Sequence, residues 1–331
     1  MTIFGIELVP ATPLEGLVSY ATLAEGSGVD SIWVTDHFSN RNVYVTLAVI
    51  ALKTHHLRLG VTVANPYLIH PAVTAQAIAS VAEIAPGRVV IGIGSGDETT
   101  LTKLGVERKK ALVAIREAVS LIRGLLEGHR VAMKGEFFEV DGAMLDFRVD
   151  PIQIYVTGQS PKILELGGEI GSGVLTQGTD RADVDCAMRH VRIGCDKGHR
   201  ARRDLKVVFE APVSISADVD EAIRRAIPVV SYIVAGLNPL LAEKYGISME
   251  TLSKTRRALL AGRYDKLAEL LEPEIVDRLA ICGTPEACTD RLSNIIKGGI
   301  DEFIFGPPLG PDPGRAIEIL STEVIPALRE V

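Results

Sequence analysis

The chain has 331 residues, of which 47% are hydrophobic and 23% are charged, a composition that excludes a disordered protein and allows a sizeable core. Its formal net charge of −7 argues against nucleic-acid and anionic-membrane partners, because phosphate binding leaves a basic footprint. The four cysteines are scattered, no apolar run approaches the ~18 residues that span a bilayer, and no charged-then-apolar leader precedes the first strand. We therefore expect a cytoplasmic protein.

Short runs rich in Val, Ile and Gly alternate with longer stretches of helical period, which is typical of a parallel sheet covered by helices. Eight such units favour an α/β fold closed into a (β/α)8 TIM barrel over an open doubly wound sheet. The predicted strands cover residues 3–9, 31–35, 57–63, 88–93, 152–157, 173–177, 205–215 and 302–306.

Two insertions interrupt this alternation. Residues 131–148, with Gly135 and Asp141-Gly142 at turn positions, predict a small β-hairpin between the fourth helix and the fifth strand. Residues 238–280 are charged and helical in period, and they predict a helical insertion before the last βα units. No repeat, linker or shift in composition marks a second domain, so we expect one barrel domain over residues 1–331.

Polar side chains stand at the predicted carboxyl ends of the strands, where barrels of this kind build their active sites. Such polar residues, and glycines beside them, occur within or after each of the first six strands. They are Glu7, Asp36, His37, Asn65, Gly94, Ser95, Gly96, Asp97, Gln159, Thr176, Gln177 and Gly178.

Glu7 lies in an otherwise apolar strand, where an unpaired carboxylate is costly to bury and its pKa rises toward neutrality. That property suits a proton donor at neutral pH. The alternative is a structural carboxylate in a buried ion pair with His37 or an arginine, and the residues alone leave both interpretations open.

Asp36 and His37 allow three interpretations. They could form a catalytic dyad, Asp36 could hold the His37 ring by a hydrogen bond, or both could cap the following helix. We expect no metal here, because no histidine stands four residues away and no carboxylate has ligand spacing.

The run Gly92-Ile93-Gly94-Ser95-Gly96 resembles half of a dinucleotide-binding fingerprint, but its third glycine comes one residue early. It indicates either a strand end where backbone amides approach a ligand or a tight βα turn. Cys186, His190, Cys195 and His199 fall on one predicted helix at spacings that match no zinc site, so we expect no metal there either.

In order and spacing, these segments resemble the methylenetetrahydromethanopterin reductase family of the bacterial luciferase-like superfamily. The similarity spans most of the chain. It is carried by FGIELVP at 4–10, WVTDH at 33–37, NRNVY at 40–44, NPY at 65–67, HP at 70–71, IGIGSGD at 91–97, QSPK at 159–162, GVL at 173–175 and GPPLGP at 306–311.

The resemblance implies a (β/α)8 barrel that uses the deazaflavin coenzyme F420 as hydride carrier, with no metal and no tightly held flavin. Its reaction would reversibly convert a 5,10-methylene-tetrahydropterin, in this family methylene-tetrahydromethanopterin, to the 5-methyl form in one-carbon metabolism. Glu7 matches the catalytic acid. Asp97 and Gln159 match positions near cofactor and pterin. Family members usually assemble as homodimers or homotetramers, which we expect here.

In this family the isoalloxazine ring leans on a bulge after the third strand, formed by a cis peptide bond that would join Thr62 and Val63. The other residues expected at the cofactor are Asp36, His37, Asn65, Gly94, Ser95, Gly96, Asp97, Gln159, Thr176, Gln177 and Gly178.

The loops after the third, fifth and sixth strands depart from the family's usual forms. Residues 60–63 lack the common Pro-Gly, and residues 157–160 and 176–179 replace the usual Gly-Ala-Gln-Gly and Asn-Ala-Ser. Two alternatives therefore remain. One is another luciferase-like enzyme, either an F420-dependent alcohol or sugar-phosphate dehydrogenase or an FMN monooxygenase; the other is a non-catalytic flavin-binding barrel.

Overall fold

A computed structural model of the chain describes residues 2–331 and contains a closed barrel of eight parallel strands. Around the barrel the order is β1-β2-β3-β4-β7-β8-β9-β11, and β11 pairs with β1. The predicted (β/α)8 fold is confirmed. In chain order the strands are β1 (Ile3–Leu8), β2 (Ser31–Thr35), β3 (Arg58–Ala64), β4 (Val89–Ile93), β5 (Val131–Lys134), β6 (Glu139–Ala143), β7 (Gln153–Thr157), β8 (Gly173–Gln177), β9 (Lys206–Ile215), β10 (Ile281–Gly283) and β11 (Glu302–Leu309).

Helices follow the barrel strands and cover them from outside. Several begin at a polar side chain that accepts a backbone N–H bond, as Asp180, Asp218 and Thr284 do. The helices are α1 (Leu14–Gly26), α2 (Val43–Ala51), α3 (Pro71–Ile84), α4 (Glu98–Lys103), α5 (Ala111–Leu126), α6 (Pro161–Ile170), α7 (Arg181–Lys197), α8 (Val219–Gly236), α9 (Pro239–Lys244), α10 (Met249–Leu260), α11 (Leu267–Leu270), α12 (Pro273–Leu279), α13 (Pro285–Ile296), α14 (Pro313–Ile319) and α15 (Ile325–Arg329).

The two segments that interrupt the alternation differ in structure. Strands β5 and β6 form an antiparallel hairpin, and helices α9 to α12 fill most of residues 238–280. Across residues 2–331, no helix has both the length and the apolar character needed to cross a bilayer.

Strand β10 is an addition to the predicted strands. Strand β9 is ten residues long, and β8 pairs with it only as far as Glu210. β10 pairs with Val213 to Ile215, beyond that point. A three-residue strand is too short for its alternation to be recognised in a sequence.

The barrel interior has an apolar middle layer, formed by Trp33, Val90, Tyr155, Leu175, Val208 and Ile304. Below it, at the amino-terminal ends of the strands, the buried carboxylate of Glu302 accepts hydrogen bonds from Ser31 Oγ at 2.5 Å and Trp33 Nε1 at 2.8 Å. Arg58 forms an ion pair with the same carboxylate at 3.2 Å. These paired polar groups fill the lower end, so the polar residues of the upper end are the candidates for a site.

Candidate active site

The upper interior layer is set by strand alternation. Side chains two residues apart on a strand point to the same face, so residues that follow the apolar layer by two also face the interior. Thr35, Thr157, Gln177 and Glu210 stand in this position, two residues after Trp33, Tyr155, Leu175 and Val208. Glu7 pairs in register with Trp33 and shares its face.

The centre of this layer is a pair of buried carboxyl groups, Glu7 on β1 and Glu210 on β9. Their residues are 6% and 5% exposed, and a side-chain hydrogen bond joins them. Burial and the charge of Glu210 raise the pKa of Glu7 well above its ordinary value. Glu7 therefore has a second carboxyl group as its neighbour; the alternative of an ion pair with His37 or an arginine is wrong.

Two glutamines extend this pair. Gln177 is the register partner of Glu210, and its Nε2 donates to Glu210 Oε1 at 3.2 Å. Gln159 Nε2 in turn donates to Gln177 Oε1 at 2.5 Å. Gln159, Gln177, Glu210 and Glu7 thus form one hydrogen-bonded chain across the upper end of the barrel.

A second polar group lies where β2 and β4 end. Burial raises the pKa of Asp36 to about 6. His37 Nδ1 lies 3.7 Å from Asp97 Oδ2, and Asp97 Oδ1 accepts the Thr100 N–H at 2.7 Å to cap α4. The polar partner found for the His37 ring is thus Asp97 on another loop rather than Asp36.

The following helix, α2, has a different cap from the one considered in the sequence. The side chain of Asn42 accepts the N–H groups of Tyr44 and Val45 at its first turn. The interpretation of Asp36 and His37 as caps of this helix is therefore wrong.

The loop after β4 packs closely on the end of β3. A Cβ at Gly94 would meet Val63 Cγ2 at 2.7 Å, and a Cβ at Gly96 would meet Asn65 Nδ2 at 2.0 Å. Gly96 also has a φ of +68°, in the left-handed region that suits glycine. Ser95, between them, is half-buried. The glycines thus allow backbone to approach neighbouring side chains.

The end of β3 carries the bulge that the resemblance implies. The peptide bond between Thr62 and Val63 is cis, and the register between β3 and β4 shifts between Val61 and Ala64. Thr62 is buried and Val63 is half-buried. A Cβ-bearing residue at this position is therefore compatible with the bulge.

Two hydroxyl groups near this bulge point to a ligand. Within residues 2–331, Thr35 Oγ1 and Thr157 Oγ1 are buried without a hydrogen-bond partner. Buried polar groups in proteins are normally paired, so an unpaired hydroxyl in an interior layer indicates a missing partner. Together with the bulge and the glycine loop, they suit a flat ring that forms hydrogen bonds.

The last two predicted residues, Thr176 and Gly178, differ in their placement. Thr176 alternates with Gln177 on β8, so it faces the surrounding helices rather than the interior. Gly178 packs against α7, where a Cβ would meet Asp183 Cβ at 2.5 Å, and its N–H donates to the backbone carbonyl of Glu210 at 3.2 Å, so it lies beside the hydrogen-bonded chain.

Glu210 and Tyr232 are additional residues that the sequence prediction missed. Glu210 is a single carboxylate in an apolar strand, the same signal that singled out Glu7. Tyr232 on α8 lies 3.4 Å from Tyr264, hydroxyl to hydroxyl. Burial, this neighbour and the charge of Asp97 raise its pKa to about 12. No local pattern marks it.

Cys186, His190 and Cys195 lie on α7, whereas His199 follows it, so the expectation of one helix is wrong for His199, and the four do not assemble into a site. His190 Nδ1 lies 3.3 Å from Glu165, which also accepts from Lys162 and Lys197. In residues 2–331 no three His, Cys, Asp or Glu side chains form a group that could hold a metal ion.

A sequence model of the luciferase-like monooxygenase family matches residues 2–302. The 5,10-methylenetetrahydromethanopterin reductases of Archaeoglobus fulgidus and Methanolobus tindarius are 40% and 35% identical to the chain, covering 98% and 97% of it and 99% of each relative. The solved coenzyme F420 dependent tetrahydromethanopterin reductase of Methanopyrus kandleri superposes with a TM-score of 0.90 at 30% identity, covering 99% of both chains. The chain therefore belongs to the luciferase-like monooxygenase family, together with relatives named 5,10-methylenetetrahydromethanopterin reductase.

Proposed function

We propose that this protein is an oxidoreductase that transfers a hydride reversibly between reduced coenzyme F420 and 5,10-methylene-tetrahydromethanopterin, giving the 5-methyl form. Relatives of that name at 40% and 35% identity over nearly the whole chain support this activity. The observation that carries it is the buried carboxyl pair of Glu7 and Glu210, because burial and the charge of Glu210 raise the pKa of Glu7 and favour the protonated form that an acid catalyst needs.

The residues at the upper end of the barrel fit a deazaflavin ring. The bulge at Thr62 and Val63 supports one side, and the hydroxyls of Thr35 and Thr157 are free to bond polar ring atoms. When bound, F420 supplies the hydride. The other residues that we assign to its site are Asp36, His37, Asn65, Gly94, Ser95, Gly96, Asp97, Gln159, Gln177 and Gly178. Thr176, whose side chain faces the surrounding helices, is assigned a supporting role at the end of β8.

Glu7 acts as the catalytic acid on the substrate. It donates its proton to the ring nitrogen whose bond to the bridging methylene breaks, and that nitrogen keeps the electron pair of the bond. The methylene carbon becomes an iminium carbon, which is electrophilic enough to accept a hydride. Asp97 and Gln159 position the pterin beside Glu7, and the buried surroundings of Glu7 keep water from competing for its proton.

We also propose that the chain, one barrel domain with two insertions, forms a homodimer or homotetramer through α2 and α3. Helix α2 carries no charged residue. Val45 on α2, Leu52 directly after it and Val73 on α3 are 52%, 65% and 52% exposed. An apolar stripe of this kind suits a second copy of the chain. The four cysteines are free thiols, which suits the reducing cytoplasm that we propose as its compartment.

An initial-rate assay tests the activity. Reduced F420 is mixed with the protein and, in turn, methylene-tetrahydromethanopterin or methylene-tetrahydrofolate, and oxidation is followed by F420 absorbance. Oxidised F420 is mixed in parallel with a secondary alcohol or glucose 6-phosphate. We expect turnover with a methylene-pterin and near-complete loss in Glu7→Gln, with F420 binding retained.

Other outcomes of the same assay would overturn the proposal. Turnover with the alcohol or the sugar phosphate alone, or purified protein that retains FMN, would assign another luciferase-like activity. No turnover with any partner, together with binding properties unchanged by Glu7→Gln, would indicate a non-catalytic barrel.

A further inference from the structure

We infer that Glu210 is a positioning residue for this reaction: it shares a single proton with Glu7 and makes Glu7 the member of the pair that carries it. The inference rests on the proposed function, in which Glu7 is the acid. β11 separates β9 from β1 in the barrel, so the two carboxyl groups come from strands that are not neighbours. A side-chain hydrogen bond brings them together in the interior. At 6% and 5% exposure, neither residue has water enough to ionise freely.

The hydrogen bonds around the pair make its two members unequal. Glu210 Oε1 accepts an N–H from Gln177 at 3.2 Å. The bond from Gln159 to Gln177 Oε1 fixes the amide of Gln177, so that its N–H group faces Glu210. A donor favours the ionised form of the acid that it touches, so Glu210 becomes the carboxylate and Glu7 keeps the proton.

The directions of the pKa shifts agree with this assignment. For Glu7, burial, the charge of Glu210 and the bond to Glu210 all raise the pKa. For Glu210, burial raises the pKa while the bonds from Glu7 and Gln177 lower it. The pair therefore behaves as one acid, Glu7, held beside one carboxylate.

The other titratable groups near the pair lie on neighbouring elements. Asp36 and His37 follow β2, Asp97 follows β4, and α8 carries Tyr232. β7 and β8 present Thr157 and Gln177, which do not titrate. In the lower layer Glu302 and Arg58 are paired with each other. Among charged groups, the one that raises the pKa of Glu7 is Glu210.

This arrangement serves both steps of the proposed chemistry. Before the reaction the pair holds one proton and one negative charge, so Glu7 is a ready acid. When its proton passes to the substrate nitrogen, the pair holds two negative charges beside the positive iminium carbon, which stabilises that cation. The proton that the nitrogen gains is balanced by the one released as F420 is oxidised, and Glu7 regains a proton before the next turnover.

Variants at Glu210 and Gln177 test the inference by shifts in opposite directions. Glu210→Gln removes the neighbouring charge, so Glu7 loses its proton at lower pH. The pH at which kcat falls on the alkaline side should decrease by at least about one unit. Above that pH, kcat should be about tenfold lower than in the wild type, and it should recover in acid. Gln177→Met removes the donor from Glu210, so the pair holds its proton more tightly and the same fall should move to higher pH.

A second measurement reads the proton without turnover. Protein labelled with ¹³C-glutamate is examined by infrared spectroscopy at neutral pH for the carbonyl band of a protonated carboxyl group, and the label excludes Asp36. We expect the band in the wild type, its loss in Glu7→Gln and Glu210→Gln, and its retention in Gln177→Met.

The two measurements separate failure of the inference from failure of the proposed function. If the wild type shows no pterin turnover but the carbonyl band is present and responds to the variants as expected, the proposed function is overturned and the shared proton is supported. An active wild type whose pH profile and band are unchanged by Glu210→Gln would overturn the inference. So would a Glu210→Gln variant that folds, by circular dichroism, but loses activity equally at every pH, because that result indicates a structural role.

Discussion

Gly96 offers a sharp test of how the loop after β4 supports the site. Replacing it with alanine places a Cβ 2.0 Å from Asn65 Nδ2 and 2.8 Å from Asn65 Cγ, whereas real Cβ contacts essentially never fall below 3.0 Å. The Asn65 amide must therefore move by about 1 Å. That residue is 5% exposed, and its Oδ1 accepts the Tyr67 N–H at 2.9 Å, so the shift disturbs a buried group.

The size of the effect follows from two contributions. A φ of +68° costs an L-residue ~1–2 kcal/mol. Loss of the bond from Tyr67 to Asn65 costs ~1 kcal/mol more. We therefore expect Gly96→Ala to lower the free energy of unfolding by ~2–3 kcal/mol. Gly105 is a matched control, because its φ is also +68° and a Cβ there would meet no atom within 4 Å.

Equilibrium binding of F420, followed by its fluorescence, and urea denaturation measure the two variants. We expect Gly96→Ala to raise the Kd for F420 about tenfold or more, equivalent to ~1.4 kcal/mol. Gly105→Ala should lose only the backbone contribution of ~1–2 kcal/mol in stability and leave the Kd unchanged. Equal changes of Kd in both variants would refute the placement of the cofactor beside Asn65 and Gly96.

Three further predictions concern stability and assembly. Glu302→Ala leaves the buried donors of Ser31 and Trp33 without their acceptor and the half-buried Arg58 without its carboxylate. It should cost ~2–4 kcal/mol in urea denaturation, whereas Glu302→Gln, which keeps an acceptor, should cost less. The folded protein holds the Glu7 proton more tightly than the unfolded chain, which stabilises the fold fully below the ordinary glutamate pKa, and this contribution is lost as pH rises through the raised pKa. Glu7→Gln should therefore reduce the fall in the free energy of unfolding with rising pH. An unchanged slope in urea denaturation across pH would contradict this. Val45→Glu should dissociate the oligomer, seen as a lower molar mass in light scattering, whereas Val219→Glu, at a similarly exposed valine on α8, should leave the molar mass unchanged. A monomeric wild type would contradict the proposed assembly.

The barrel could be predicted from sequence because its strands repeat a local signal. Each is a short apolar run with a helical stretch after it, and alternation does not depend on distant residues. Glu7 was recognised for the same reason, since one carboxylate in an apolar strand stands out without knowledge of its neighbours.

The interior partners could not be predicted, because they depend on strand order and register. The residues that meet Glu7 and His37 are Glu210 and Asp97, which lie 203 and 60 positions away in the chain (210 − 7 and 97 − 37). Strand β10 was missed because three residues carry no period. The neighbourhood of Tyr232 and Asp97 depends on how α8 packs beside α4, a tertiary contact with no local pattern.

The central claim is that this barrel passes a hydride from F420 to the methylene carbon of a pterin. F420 that carries deuterium at both hydrogen positions of its hydride-carrying carbon is mixed with the protein and methylene-tetrahydromethanopterin in ordinary water, and mass spectrometry of the product tests the claim in one measurement. We expect a 5-methyl product with one deuterium in each methyl group. A methyl group without deuterium, or no methyl product while the protein still binds F420, would contradict the account.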